Sequence, residues 1–350
     1  MNRPLLVLVG GFLGAGKTTL IIAAARLLQS RGVCVGVITN DQGGELVDSR
    51  WLAELGVGVE EVTGGCFCCR FSDFYRSAER LLVHHPEVIF AEPVGSCVDL
   101  SATILQPVKS FYKDRLQPAP LTVLVDPLRA QEFLGAGADP NMAYLFHKQL
   151  AEADQVWFSK ADLCGSPPWL PRVTTRSMSA RTGRGIAEWL NQVLSGNEAA
   201  GTRLLDINYE EYAQAEAALG WLNWQADLRL RQLLTPAAVA GPLLEELDGR
   251  LTEMSAAIAH LKIFARSDTG FIKASLCRNS EKPLVEGDLA ASPARRYELV
   301  LNLRARACPE LLQSLVNEVT QNLPGRLIVN HRESFRPAPP KPEHRFTSVG

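Results

Sequence analysis

The segment Gly11-Phe12-Leu13-Gly14-Ala15-Gly16-Lys17-Thr18 constrains this chain more than any other stretch. It reads G-x-x-x-x-G-K-[ST], the P-loop pattern. The residues on either side suit it. Leu5 to Val9 is a continuous apolar run that predicts a buried strand. From Thr19 to Gln29, Leu20, Ile21, Ala24, Leu27 and Leu28 recur at helical spacing and stop near Gly32. Strand, glycine turn and helix in that order make an anion cradle. Glycines let successive N–H groups point at one centre, and the helix start adds partial positive charge. Lys17 brings a full charge to the outer phosphates, and the Thr18 hydroxyl suits magnesium. Gly11, Gly14, Ala15, Gly16, Lys17, Thr18 and Thr19 are therefore the candidate phosphate-binding residues.

A length of 350 residues allows two domains. Apolar residues make up 46% and charged residues 21%, enough for a large soluble core. With a net charge of −2 there is no basic excess to suggest nucleic acid. No signal-peptide pattern precedes the first strand, and no apolar run is long enough to span a bilayer. Eight cysteines without a secretory signal predict thiols rather than disulfides, and a cytoplasmic protein.

Further apolar runs each end in chemistry. Val33 to Ile38 leads to Asn40 and Asp41; Asp41 is a candidate for contact with water or magnesium, with turn chemistry as the competing use. A short strand marked by Val57, Val59 and Val62 leads to Gly64-Gly65-Cys66-Phe67-Cys68-Cys69-Arg70. Thiolates suit Zn²⁺, Cu(I) or related metals, and three of them leave a fourth position for water, another side chain or an acceptor protein. A redox pair and small buried hydrophobes are the alternatives. Phe71 to Val83 carries a helical apolar stripe with Ser72 as a candidate cap; His84 and His85 at its end are left out of the site. Val88 to Ala91 ends in Glu92-Pro93-Val94-Gly95, where P-loop proteins hold magnesium and sense the γ-phosphate. Leu121 to Val125 ends at Asp126, read as a helix cap. Gln155 to Phe158 ends in Ser159-Lys160-Ala161-Asp162, similar to the guanine-reading N-K-x-D of GTPases. A strand over 172–178 closes on Ser179-Ala180-Arg181, which resembles the loop that backs guanine. After a Ser/Gly/Asn linker the pattern changes. Strands at Trp221–Leu230, Leu261–Ala265, Gly270–Cys277, Tyr297–Leu303 and Arg326–Asn330 accompany helices over 243–259 and 309–323. This order predicts a small ferredoxin-like α+β domain. The boundaries are 1–198 for the P-loop domain, 206–336 for the second domain and 337–350 for a proline-rich, extended tail.

Taken together, Gly10 to Thr19, Cys66-Phe67-Cys68-Cys69, Glu92-Pro93-Val94-Gly95 and Ser159-Lys160-Ala161-Asp162 resemble the CobW-like family of P-loop GTPases, a metallochaperone group with zinc-transferring members. The resemblance implies a mostly parallel α/β GTPase domain and a smaller α+β domain. It also implies GTP and GDP as ligands, Mg²⁺ at Thr18 and Glu92, and slow hydrolysis involving Lys17, Asp41 and Glu92. Guanine would be read by Lys160, Asp162, Ser179 and Ala180. Cys66, Cys68 and Cys69 would carry zinc or another transition metal to a client metalloprotein. Two features depart from the family pattern: Ser159 stands where asparagine is usual, and no histidine-rich stretch occurs, which favours delivery over storage. The alternatives are an insertion factor for a cobalt or iron enzyme, a P-loop kinase for a small molecule, and a thiol redox sensor. Assembly into a homo-oligomer stays open.

Overall fold

A computed structural model of the protein describes residues 3–42, 47, 58–170 and 174–349. It divides into two compact units. The first holds the described residues up to Gln42, from Gly58 to Ala215 and from Pro339 onward; the second holds Val47 and Glu216–Ala338.

The first unit is built on a parallel sheet. Its strands are β1 (Leu5–Gly10), β2 (Val35–Asn40), β3 (Gly58–Val62), β4 (Val88–Glu92), β5 (Gln117–Pro118), β6 (Thr122–Val125), β7 (Gln155–Phe158) and β8 (Thr175–Ser177). Along the sheet the order is β3-β2-β4-β1-β6-β7-β8, with β5 beside β1. The inner strands are buried on both faces, which is why they read as unbroken apolar runs. Helices α1 (Lys17–Gln29), α2 (Phe71–Leu82), α3 (Gln106–Phe111), α4 (Pro127–Leu134), α5 (Pro140–Glu152), α6 (Ile186–Val193) and α7 (Tyr209–Ala217) accompany it. The strand expected over 172–178 is present as β8, with 171–173 outside the described residues. Asp126 does cap α4, its carboxylate accepting from the Leu128 N–H at 2.9 Å.

The second unit is an antiparallel sheet with two helices. Its elements run β9 (Gly220–Leu234), α8 (Pro236–Glu253), β10 (Ile258–Ser267), β11 (Gly270–Leu276), β12 (Leu284–Gly287), β13 (Ala294–Ala305), α9 (Pro309–Gln321) and β14 (Arg326–Phe335). The sheet order is β12-β11-β10-β13-β9-β14. Without the β11–β12 hairpin this is the β-α-β-β-α-β arrangement of a ferredoxin-like domain. Leu243, Leu244, Leu247 and Leu251 of α8 and Leu312, Leu315 and Val316 of α9 pack on the apolar face of that sheet. The first helix begins earlier than the apolar pattern predicts, because Thr235 caps it through the Ala238 N–H and Pro236 fits its first turn. It also ends earlier: Ile258 and Ala259 belong to β10, whose alternation wins over the helical reading.

Residues from Pro339 onward do not simply trail away. They lie along the first unit beside the cysteine loop, as described below.

Candidate functional site

Because the strands of the first sheet run parallel, their carboxyl ends share one edge, where open α/β sheets bind ligands. The strand order sets out the residues along that edge: the cysteine loop after β3, Asp41 after β2, Glu92 ending β4, the glycine loop after β1, Asp126 after β6, Ser159–Asp162 after β7 and Ser179–Ala180 after β8.

The glycine loop has the backbone its sequence demands. Gly16 stands at the start of α1 with φ of 89°, and no side chain caps the first turn. Gly11 has φ of 129°, and a Cβ there would lie 2.3 Å from the Leu124 carbonyl oxygen. Gly14 likewise has positive φ, and Ala15 closes the turn by donating its N–H to Phe12 at 3.0 Å. Lys17 is buried, its Nζ donating to the Gly11 carbonyl at 3.0 Å. The Thr18 hydroxyl donates to Glu92 Oε1 at 2.9 Å, while Thr19 follows half-buried in the same turn. A hydroxyl and a carboxylate meeting beside the lysine form a hard-oxygen set that fits Mg²⁺. Asp41 is buried, its N–H donating to Val62 at 3.1 Å.

At the other end of the edge, the loops after β7 and β8 are tied together. The Met178 N–H donates to Phe158, and the Ala161 N–H donates back to Met178, which sets Ser179 and Ala180 against Lys160 and Asp162. Ser179 Oγ donates to Asp162 at 2.6 Å, and Arg181 pairs with the same carboxylate at 2.7 Å. Partial burial pushes the Asp162 carboxyl upward, but the Ser179 hydroxyl and the Arg181 guanidinium outweigh it and hold the group below its ordinary range. Lys160 takes a positive φ of 54° and reaches Asp126 with its Nζ at 2.7 Å. Ser159 does not face this pair; its hydroxyl donates to the Val125 carbonyl at 3.3 Å.

The three cysteines converge through a tight turn. The N–H groups of Cys69 and Arg70 both donate to the Cys66 carbonyl at 3.0 Å, and Gly64 supplies the positive φ that enters the turn. Phe67 points away into the core against Phe74, leaving the thiols on one side. The Sγ separations are 2.9 Å for Cys66–Cys68, 3.2 Å for Cys66–Cys69 and 3.8 Å for Cys68–Cys69. A zinc–sulfur bond of about 2.3 Å gives a tetrahedral edge of roughly 3.8 Å, so small outward shifts would seat a metal. The trio also stands at the N-terminus of α2, whose partial charge favours thiolate. Hydrogen bonds with the Cys68 and Cys69 sulfurs hold the Cys66 thiol well below its usual range, against the effect of burial. The S–H of Cys69 is pushed up to about 11, first by its bond to Cys66.

Two further contacts surround the thiols. Asn40, the last residue of β2, donates its Nδ2 to the Val62 and Gly65 carbonyls at 2.9 and 2.8 Å, and its Oδ1 accepts the Phe67 N–H at 2.9 Å. One amide beside Asp41 therefore grips the cysteine loop on both sides of Cys66. On the outside lies the segment after Pro339. The Lys341 N–H donates to Cys69 Sγ at 3.1 Å, and the Glu343 N–H donates to the Cys68 carbonyl at 2.9 Å. The Glu343 carboxylate accepts from the Ser72 N–H at 3.0 Å, so this residue, and not Ser72, caps the start of α2. His344 sits edge-on to Phe71 and Phe111, and Arg345 pairs with buried Asp99 at 2.7 Å. The Asn40 clamp is testable by itself. Asn40→Ala leaves the Phe67 N–H and the Gly65 carbonyl without this partner and is expected to cost about 1–3 kcal/mol of stability. Denaturant unfolding of the two proteins measures it.

Residues 5–186, just over half of the chain, match the model of the CobW/HypB/UreG nucleotide-binding domain. The chain belongs to this family. Zinc chaperone YjiA of Escherichia coli is 28% identical over 172 residues, covering 47% of this chain and 52% of the relative. Zinc chaperone CobW of Pseudomonas aeruginosa is 29% identical over 187 residues, covering 44% and 48%. The chain thus spans about half the length of the curated relatives it matches. Among solved structures, Zn(II)-bound YjiA GTPase from E. coli aligns over 92% of this chain and 99% of its own at 14% identity, with a TM-score of 0.34. HypB from Helicobacter pylori in complex with nickel aligns over 55% and 86% at 18% identity, with a TM-score of 0.41. Within the CobW/HypB/UreG member described here, the family match takes in the glycine loop, the cysteine loop, Glu92 and the loops after β7 and β8. Among the described residues, no helix is long and apolar enough to cross a membrane.

Proposed function

We propose that this protein is a GTP-hydrolysing metallochaperone that binds a thiophilic transition metal, zinc first, through Cys66, Cys68 and Cys69 and releases it to a client metalloprotein. The observation that carries this reading is the Asn40 amide, which joins the phosphate edge to the cysteine loop. In this reading the N–H groups from Gly14 to Thr19 receive the phosphates, and Lys17 neutralises their outer oxygens. Thr18 and Glu92 hold magnesium, which when bound adds positive charge to the β- and γ-phosphates. Asp41 orients the attacking water, whose addition gives GDP and inorganic phosphate. Asp162, set by Ser179, accepts from guanine, while Lys160 and Ala180 border the base. Zinc chaperone relatives support zinc over other thiophilic metals. The buried thiol trio gives the chemical reason: soft donors prefer such ions to hard ones.

The deciding experiment measures zinc affinity with a non-hydrolysable GTP analogue and with GDP. A difference of about 5–150-fold between the two states is expected for coupling through one amide clamp. Equal affinity in both would sink the proposal.

The guanine side gives a pH prediction. A carboxyl whose folded pKa is depressed keeps its charge above the unfolded value and loses it only as pH falls through the folded one. Asp162 is held down in this way. GDP affinity is therefore expected to show no Asp162-dependent step from about pH 5 to 8, the ordinary carboxylate range lying lower. An Asp162→Asn variant should be weaker at every pH in that window. A step near pH 6 present in wild type and absent in Asp162→Asn would contradict the assignment.

A further inference from the structure

The residues from Lys341 to Phe346 form neither helix nor strand, yet they are fastened along the cysteine loop and the start of α2. At one end, the Lys341 N–H donates to Cys69 Sγ at 3.1 Å and the Glu343 N–H to the Cys68 carbonyl at 2.9 Å. The Glu343 carboxylate accepts from both the N–H and the hydroxyl of Ser72, at 3.0 and 2.6 Å. Arg70 stands at the cap position of α2 and gives it no side-chain bond, so the helix takes its cap from this distant segment. At the other end, the Arg345 guanidinium donates to Asp99 Oδ2 at 2.7 Å and to the Leu205 carbonyl at 2.9 Å. The Phe346 N–H donates to the Ala102 carbonyl at 3.0 Å. Asp99 is buried and also accepts from the Tyr209 hydroxyl at 2.8 Å. Between the two ends, His344 lies against Phe71 and Phe111. None of the residues from Lys341 to Phe346 is buried, whereas Cys66 and Cys68 of the loop they cross are 4% and 2% exposed.

We propose that residues 341–346 are a displaceable cover for the metal-carrying sulfurs, and that an acceptor reaches Cys69 only after the cover lifts. This rests on the metal-carrying reading above and adds the step that controls delivery. A main-chain N–H 3.1 Å from a sulfur stands in the path of an incoming ligand. A surface segment with no ladder of its own opens locally at far lower cost than a core strand or helix. Its two anchors are of the stronger kind, because each joins a charged group to its hydrogen-bond partner. Glu343 meets the N-terminal end of α2, where a carboxylate is favoured. Arg345 compensates a carboxylate that burial makes costly to leave alone. The closed state is thus stable without being permanent. When the cover lifts, Cys66, Cys68 and Cys69 stay together, since Asn40 and the turn from Cys66 to Arg70 hold them independently. Such a cover changes how fast a metal enters and leaves, and keeps the ligand set as it was.

Glu343→Ala and Arg345→Ala, made singly in the full chain, each remove one anchor. Losing one charged hydrogen bond shifts an opening equilibrium by about 10- to 100-fold. Zinc capture, and zinc release to an excess of chromophoric chelator, are both expected to speed up by about that factor. Because both rates rise together, zinc affinity is expected to stay within about threefold of wild type. Hydrogen exchange should show residues 339–346 exchanging faster in the same variants. Glu343 is exposed, so its variant keeps the test decisive if Arg345→Ala, which strands buried Asp99, fails to fold. Wild-type rates of capture and release despite faster exchange would overturn the cover. Faster release with unchanged capture would overturn it too, because that loss of affinity marks a brace for the ligands. Exchange no faster than wild type in either variant would show that these anchors do not hold the segment, and the proposal falls. A serine triple variant at Cys66, Cys68 and Cys69 separates this from the broader reading. If that variant keeps wild-type zinc affinity, metal carriage itself fails. If it loses zinc while the anchor variants match wild-type rates, only the cover fails.

Discussion

Serine at Cys66, Cys68 and Cys69 together is expected to lower zinc affinity by at least ~10⁴-fold, about 5.5 kcal/mol, measured by competition with a chromophoric chelator. The size follows from removing three thiolates at once. Hydroxyls do not ionise near neutral pH and are poor partners for a soft ion. The variant should still fold, for a structural reason. Asn40 and Glu343 hold this loop by its main chain, at Gly65, Phe67 and Cys68, and none of those bonds uses a sulfur. Serine also fills nearly the same volume, so the buried positions of Cys66 and Cys68 open no large cavity. GDP affinity should accordingly stay within about threefold of wild type. Loss of both zinc and GDP binding would mean that the sulfurs are part of the nucleotide fold, and the division of labour proposed here would be wrong.

Alanine at Lys17 is expected to reduce GTP hydrolysis by about 10³-fold or more, roughly 4 kcal/mol of transition-state stabilisation. Lys17 is buried, and its Nζ is already aimed along the loop by the Gly11 carbonyl. A charge preset in a site of low polarity acts far more strongly on a developing phosphate charge than the same charge in water. Arginine should not rescue it, because the wider planar guanidinium does not fit the space of a compact ammonium. Zinc affinity without nucleotide should be unchanged, since the metal site uses other residues. Single-turnover kinetics and zinc titration of Lys17→Ala and Lys17→Arg check both statements. Hydrolysis within a few-fold of wild type in Lys17→Ala would remove the lysine from the mechanism.

The layout of the nucleotide edge is legible in sequence because each part is local. An apolar run followed at once by Gly11, Glu92 or Asp162 signals a buried strand and then a polar turn, and the parallel sheet gathers such turns on one side. The cysteine trio is legible for the same reason, being closed by a turn of five residues from Cys66 to Arg70. What stays hidden is whatever joins distant segments. Asn40 reads as ordinary turn chemistry until its amide is found spanning Val62, Gly65 and Phe67. Glu343 caps a helix from 271 residues away, so the local rule pointed to Ser72 instead. In α8, the apolar pattern beginning at Leu243 misses the first turns, because the cap at Thr235 decides where the helix starts.

The segment from Lys341 to Phe346 has a bearing on the order of folding. The turn that gathers Cys66, Cys68 and Cys69 closes over a handful of residues, whereas the strip laid across it comes from far downstream. Contacts between remote parts of a chain form late, because the intervening length must first be organised. A newly made molecule therefore passes through a stage in which its sulfurs are assembled but still uncovered. During that interval a metal ion could reach them without displacing anything, and the strip would afterwards settle over a loaded loop.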